Sequence, residues 1–182
     1  MTITVLSMML VVYTLFCAVQ LRFLFAGALT DGLISLPDGL TYSEYARDGF
    51  FQLLTAAAIN LAIFGIALTS TPHTPWLNAT LGGLLAVTAV MLASAALRLG
   101  LYIGAYGLTR LRYASLTFIV LLAIAIALCA IRMFTARLPL MATLAALVMV
   151  WYVTLGFSNP DWVCGTYNAA HGFGSAYSPD NP

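Results

Sequence analysis

Arginine and tyrosine side chains recur at helical spacing in the third hydrophobic stretch of this sequence. Arg98, Tyr102 and Tyr106 lie four residues apart, so they share one face of a helix. A guanidinium can make a planar, two-point contact with a carboxylate or a phosphate, and an aromatic ring can lie beneath such a cation. Every basic residue of the chain is an arginine. The pattern predicts a site for an anionic group, which the surrounding apolar segments must position.

The composition predicts an integral membrane protein. Hydrophobic residues occupy 62% of the 182 positions and charged residues only 7%, whereas roughly 25% charged residues is usual in a globular domain. A water-soluble chain of this length could not bury so much apolar surface. The net charge of +1 and the lack of a basic run argue against nucleic acid as a partner.

Five segments are long enough to cross a bilayer, whose hydrocarbon core requires about 20 apolar residues. The predicted fold class is all-α: a polytopic membrane helical bundle of five transmembrane helices. A single domain is predicted over residues 1–168, followed by a flexible tail over residues 169–182. The helix of the third span should continue to Tyr106, so that it tilts or protrudes. The predicted spans are residues 5–25, 50–68, 76–102, 113–131 and 140–157.

With an odd number of crossings, the connections alternate between two sides, and most charges collect on one of them. We call this side the charged end of the bundle. All six acids and five of the seven arginines are expected there, whereas Arg132 and Arg137 are expected at the opposite end. The excess of arginine favours a cytoplasmic position for the charged end, in a bacterial inner membrane.

Four separate segments are predicted to send hydrogen-bonding groups to the charged end. Arg98 lies about 13 Å below the end of its helix at 1.5 Å per residue, and a cation at that depth needs a counter-ion. Glu44 or Asp48 is the expected partner. The alternative is a lattice of ion pairs that fixes the register of the helices and binds nothing. The candidate ligand-binding residues are Gln20, Arg22, Tyr42, Glu44, Tyr45, Arg47, Arg98, Tyr102, Tyr106, Arg110, Arg112, Asp161 and Asn168.

No cofactor and no metal site is expected from the sequence. His73 and His171 are predicted on opposite sides of the membrane, too far apart to hold one haem or one metal ion. The three cysteines show no CxxC spacing, and no phosphate-binding loop is present. Asn60, in the middle of the second span, is expected to hydrogen-bond to a neighbouring helix.

At these same segments the sequence resembles a family of bacterial multi-pass membrane proteins known only as a domain of unknown function. The resemblance lies in four motifs, QLRFLFAG, YSEYARDGFF, LRLGLYIGAYGLTRLR and NPD…YN, which follow one another between residues 20 and 168. The chain departs from the family pattern at Asp48 and at residues 164–166. Family members usually have further hydrophobic segments before the first motif, which implies a minimal version or a chain that another subunit completes. The resemblance implies the architecture and no reaction.

Three functions stay open at this point. The leading hypothesis is a membrane protein that binds an anionic lipid headgroup, or docks another membrane protein subunit, through the charged end without catalysing a reaction. The second is an enzyme acting on a lipid-linked phosphate substrate, with Glu44 or Asp48 as the base. The third is a small transporter.

Overall fold

The computed structural model describes the backbone of residues 2–29, 42–70, 74–135 and 139–173, and the side chains of residues 4–19, 50–68, 74–135 and 139–173. These residues form helices and short connections, and no strand occurs among them. The predicted all-α fold class is therefore confirmed. The helices are α1 (Thr2–Leu29), α2 (Tyr42–Ser70), α3 (Pro75–Tyr106), α4 (Arg110–Phe134), α5 (Leu140–Phe157) and α6 (Pro160–Ala170).

Within the described residues, four helical segments are long and apolar enough to cross a membrane: Phe50–Leu68 in α2, and the whole of α3, α4 and α5. This is the architecture of an integral membrane protein. Helix α1 has 28 residues, and its described side chains, Thr4–Val19, form a shorter apolar segment. The fifth crossing stays a prediction, because the side chains of residues 20–25 lie outside the described part of the chain.

Each predicted span lies within an observed helix, and four of these helices extend beyond it. Helix α5 has the predicted bounds, and α3 reaches Tyr106 as expected. With 32 residues, α3 is about 48 Å long, more than the hydrocarbon core of about 30 Å. Thr74 caps its start by accepting a hydrogen bond from the Leu77 N–H at 3.3 Å, and Pro75 occupies the first turn, where a missing N–H does no harm.

Helix α3 is the centre of the bundle. Helices α1, α2 and α4 pack against it, while α5 and α6 pack against α4. Leu10 and Cys17 of α1 lie against Gly83 and Val87 of α3, so these two helices run in the same direction. Short connections join α2 to α3 and α3 to α4, so each of these pairs is antiparallel. The end of α1, the start of α2, the end of α3 and the start of α4 therefore share the charged end.

Among the described residues, Asn60 of α2 and Thr88 of α3 form a polar contact inside the apolar core between these two helices. Asn60 is 0% exposed, and its Nδ2 donates to Thr88 Oγ1 at 3.4 Å. The Thr88 hydroxyl in turn donates to the Leu84 carbonyl at 2.7 Å. The predicted hydrogen bond from Asn60 to a neighbouring helix is confirmed. Asn60 Oδ1 and the buried Ser94 hydroxyl have no hydrogen-bond partner among the described residues.

Candidate functional site

The polar site begins where α3 ends, at Gly107. Its backbone lies in the left-handed region, with φ of 74°, and its N–H donates to the Ile103 carbonyl at 2.8 Å. A Cβ atom at this position would lie 2.8 Å from Asn168 Oδ1, closer than side-chain carbons normally approach. Glycine is therefore required here twice, for the backbone conformation and for the space that Asn168 fills.

Asn168 of α6 fastens the turn between α3 and α4. Its Oδ1 accepts a hydrogen bond from the Leu108 N–H at 2.7 Å, and its Nδ2 donates to the Leu108 carbonyl at 2.9 Å. Leu108 lies between two helices, where buried backbone N–H and C=O groups need partners from elsewhere in the chain. The Asn168 amide supplies a partner for each of these two groups. The Phe173 N–H also donates to the Asn168 carbonyl, at 3.0 Å, so the chain after α6 folds onto the same point.

Arg112 of α4 turns back over the end of α3. Its Nη1 donates to the Tyr106 carbonyl at 3.0 Å and to the Gly107 carbonyl. The guanidinium carbon lies 3.9 Å from the centre of the Tyr102 ring and 5.8 Å from that of Tyr106. The last carbonyls of a helix carry partial negative charge, and α3 has no basic residue in its own last turn. Arg112 supplies that cation from the next helix and makes a cation–π contact as well.

The tyrosines below Arg112 form the pair that the sequence spacing predicts on one helix face. The ring centres of Tyr102 and Tyr106 are 5.1 Å apart and the rings are tilted by 56°. Arg98 lies one turn deeper on α3 and is half-buried. Its predicted pairing with Glu44 or Asp48 stays a prediction, since those two side chains lie outside the described residues.

Arg110 and Asp161 join the first turns of α4 and α6. The Arg110 guanidinium donates from Nε and Nη2 to the two oxygens of the Asp161 carboxylate, which is the two-point geometry. A cation is disfavoured at the start of a helix and an anion is favoured there, so Asp161 compensates for the position of Arg110. The Arg110 side chain is 70% exposed and that of Asp161 32%. Water and ions therefore compete with this pair.

Helix α6 itself was not predicted from the sequence. Asn159 begins it in the left-handed region, with φ of 46°, and its Oδ1 accepts from the Trp162 N–H at 3.4 Å. Pro160 and Asp161 then occupy the first turn, as is common at helix starts. Cys164 is buried one turn later. Burial raises the pKa of its thiol, the Asp161 carboxylate raises that pKa further, and the Arg110 guanidinium opposes the change.

Six predicted site residues thus meet where α3, α4 and α6 converge, and Arg98 lies below them. We call this group the α3–α4–α6 corner; its members are Tyr102, Tyr106, Arg110, Arg112, Asp161 and Asn168. The other candidates lie on the end of α1 and the start of α2, whose backbone is helical at the same end of the bundle. Their side chains lie outside the described residues: Gln20, Arg22, Tyr42, Glu44, Tyr45, Arg47 and the possible base Asp48.

Two residues on which the corner depends, Gly107 and Leu108, are not among the candidates predicted from the sequence. Leu108 takes part only through its backbone, and Gly107 provides the space that Asn168 fills. A glycine directly after a long apolar helix is a common helix terminator, so that signal was present in the sequence. The contact with an amide 60 residues away had no local signal.

A family model accounts for nearly the whole chain. It is described as a domain of unknown function, DUF4153, and it matches residues 1–175. The chain belongs to the DUF4153 family. The predicted membership of a family of unknown function is thereby confirmed. No curated protein and no solved structure matches the chain.

Proposed function

We propose that this member of the DUF4153 family is a non-catalytic integral membrane protein whose charged end binds the anionic headgroup of a lipid. The exposure of Arg110 is the main support for the proposal. Its side chain is 70% exposed to solvent, and its Nε and Nη2 groups already donate to the two oxygens of the Asp161 carboxylate. A phosphate offers the same pair of oxygens. It could join this pair from the exposed side or replace Asp161 on the guanidinium.

Two further arginines lie near Arg110. Among the described side chains, Arg98 and Arg112 lie with it at the charged end beside one acid, Asp161; the other acids expected at this end lie outside the described residues. Arg112 is engaged with the end of α3. Its charge therefore contributes to the local field while Arg110 makes the direct contact.

Exposed aromatic residues support a position at headgroup depth. Trp162 is 68% exposed and Tyr106 51% exposed, and both belong to the elements that form the corner. Tryptophan and tyrosine concentrate at the boundary between hydrocarbon and water, because their rings are apolar and their N–H or O–H groups are not. An anionic headgroup lies at the same depth. We further propose a bacterial inner membrane, with the charged end on the cytoplasmic side.

Docking of a partner subunit is the second candidate, and it rests on α5. All residues of α5 are described, and only Leu140 among them is buried. Apart from the face that packs on α4 through Leu144 and Leu147, this 18-residue apolar helix offers its surface to lipid or to another chain. The enzyme hypothesis depends on Glu44 and Asp48, and no described contact favours it or the transporter hypothesis.

Thermal unfolding of the delipidated protein in detergent tests the headgroup proposal. Phosphatidylglycerol, which is anionic, should raise the Tm more than zwitterionic phosphatidylcholine with the same acyl chains, because a ligand that binds the folded state stabilises it. Arg110→Gln should reduce the difference between the two lipids. Arg132→Gln is the matched control, because Arg132 lies at the opposite end of α4. Equal shifts with both lipids in the unmodified protein would contradict the proposal, as would equal effects of the two substitutions.

A further inference from the structure

The Asp161 carboxylate occupies an edge of the Arg110 guanidinium that also fits a phosphate. Nε and Nη2 form this edge, and the N–H groups along it point in the same direction. They donate to the carboxylate, one to each oxygen. A phosphodiester presents two unbridged oxygens in a similar arrangement. The carboxylate and a lipid phosphate are therefore alternatives for one position.

The ion pair is exposed enough for a headgroup to reach it. The side chain of Arg110 is 70% exposed and that of Asp161 32%. Water screens such a pair, so the pair contributes little to stability and its loss has a small cost. The arginine can therefore exchange one anion for another while the helices stay in place.

Helix α6 has other contacts that hold it at the corner when Asp161 moves away from Arg110. Asn168 hydrogen-bonds to the N–H and the carbonyl of Leu108, at 2.7 and 2.9 Å. It lies about two turns after Asp161 along α6. Cys164, between them, is buried. A rotation of the Asp161 side chain would leave these contacts unchanged.

The positions of the two charged residues on their helices favour the exchange. Asp161 lies in the first turn of α6, where the partial positive charge of a helix start stabilises a carboxylate even without the arginine. Arg110 is the first residue of α4, where the same partial charge disfavours a cation. After the exchange the carboxylate keeps a favourable interaction, and the arginine keeps an anion beside it.

We propose that Asp161 is an internal competitor, which occupies Arg110 until an anionic headgroup replaces it. The inference rests on the function proposed above and decides how the headgroup binds, by replacing the carboxylate and not by joining the ion pair. In the exchange no covalent bond changes, and the N–H donors of Arg110 pass from the carboxylate to the phosphate. Asp161 thereby lowers the apparent affinity, so that filling the site takes a larger fraction of anionic lipid in the membrane.

Native mass spectrometry of the delipidated protein in detergent tests the competition. It measures the affinities for phosphatidylglycerol and for phosphatidylcholine with the same acyl chains, and their ratio is the headgroup preference. Asp161→Asn removes the competing charge and keeps the size of the side chain. It should raise the preference about two- to fivefold, the factor expected for an exposed ion pair. A lower preference would overturn the proposal, since Asp161 would then orient Arg110 for the ligand, and an unchanged one would overturn it as well.

A double variant separates competition from a general change of charge. Without Arg110 the carboxylate has no arginine to occupy, so Asp161→Asn combined with Arg110→Gln should show the same preference as Arg110→Gln alone. A two- to fivefold rise in this background would come from the net charge and would overturn the proposal.

Hydrogen–deuterium exchange of the α6 amides checks that the helix stays in place. Asp161→Asn should leave the exchange unchanged, because Asn168 holds the helix. Faster exchange would overturn the proposal, since the ion pair would then be a structural contact of α6.

The two proposals about the corner can fail separately. A preference that appears only in Asp161→Asn would contradict headgroup binding by the unmodified protein and support the competition. A preference in the unmodified protein that Asp161→Asn leaves unchanged would support headgroup binding and overturn the competition. Equal affinities for both lipids in every variant would overturn both.

Discussion

Two asparagines, Asn168 at the α3–α4–α6 corner and Asn60 between α2 and α3, use the same amide in opposite ways. Asn168 makes two short hydrogen bonds to the backbone N–H and C=O of one residue, Leu108, at 2.7 and 2.9 Å. Asn60 makes one bond of 3.4 Å and leaves its Oδ1 without a described partner. At the membrane boundary, hydrogen bonds define the path of a turn. In the middle of the bundle, apolar packing defines the helix pair, and the amide is an addition to it.

The substitution Gly107→Ala should show most clearly that the α3–α4 turn depends on the hydrogen bonds of Asn168. The new Cβ would meet Asn168 Oδ1 at 2.8 Å, and the left-handed backbone at Gly107 is strained for alanine. We expect the free energy of unfolding to fall by about 2–4 kcal/mol, from strain plus weakened hydrogen bonds. Unfolding in mixed micelles with increasing denaturing detergent measures it.

Gly100→Ala is the matched control for this change. Gly100 lies inside α3, and a Cβ there has nothing within 4 Å. Alanine should be neutral or stabilise the helix by up to about 1 kcal/mol. Equal losses at both glycines would show that Asn168 does not set the requirement at residue 107.

Asn168→Ala should have the next largest effect. It leaves the N–H and the carbonyl of Leu108 without their partner, and we expect a loss of about 1–3 kcal/mol. The same change should loosen α6 and expose Cys164, whose buried thiol has a raised pKa and reacts slowly for both reasons. Maleimide labelling followed by peptide mapping should therefore show faster modification of Cys164.

Thr166→Ala provides the reference for Asn168→Ala, because Thr166 lies on the exposed side of the same helix. It should leave both the stability and the labelling rate of Cys164 nearly unchanged. If Asn168→Ala labelled Cys164 no faster than Thr166→Ala, the amide would not be what holds α6 against the α3–α4 turn.

Substitutions at Asn60 test whether apolar packing, and not hydrogen bonding, holds α2 against α3. Asn60→Leu removes a long hydrogen bond and an unpaired oxygen while keeping the branched shape and the number of heavy atoms, so it should change stability by no more than about 1 kcal/mol. Asn60→Ala leaves a cavity in a fully buried site and should be less stable than Asn60→Leu by about 1–2 kcal/mol. A large loss with leucine would show that hydrogen bonding, not packing, holds α2 to α3.

The same contrast explains which parts of the fold could be predicted from the sequence and which could not. Apolar runs predicted the helices well, to the residue for α5, because span length is set by the thickness of the bilayer. The ladder of Tyr102 and Tyr106 followed from helical periodicity alone. Helix α6 was missed, because its start depends on an asparagine cap, on a proline and on a carboxylate that pairs with α4. A contact over 60 residues, such as that of Asn168 with Leu108, has no periodic signal.

The smallest effect is expected at the ion pair of Arg110 and Asp161. Because 70% of the arginine side chain is exposed, the pair should contribute no more than about 1 kcal/mol, and less at high salt. A double-mutant cycle with Arg110→Gln and Asp161→Asn measures the coupling free energy between them. A small coupling together with a lost preference for phosphatidylglycerol in Arg110→Gln would mean that the arginine is used for a ligand more than for stability. A coupling above about 2 kcal/mol would instead show that the pair stabilises the fold, as the amide of Asn168 does.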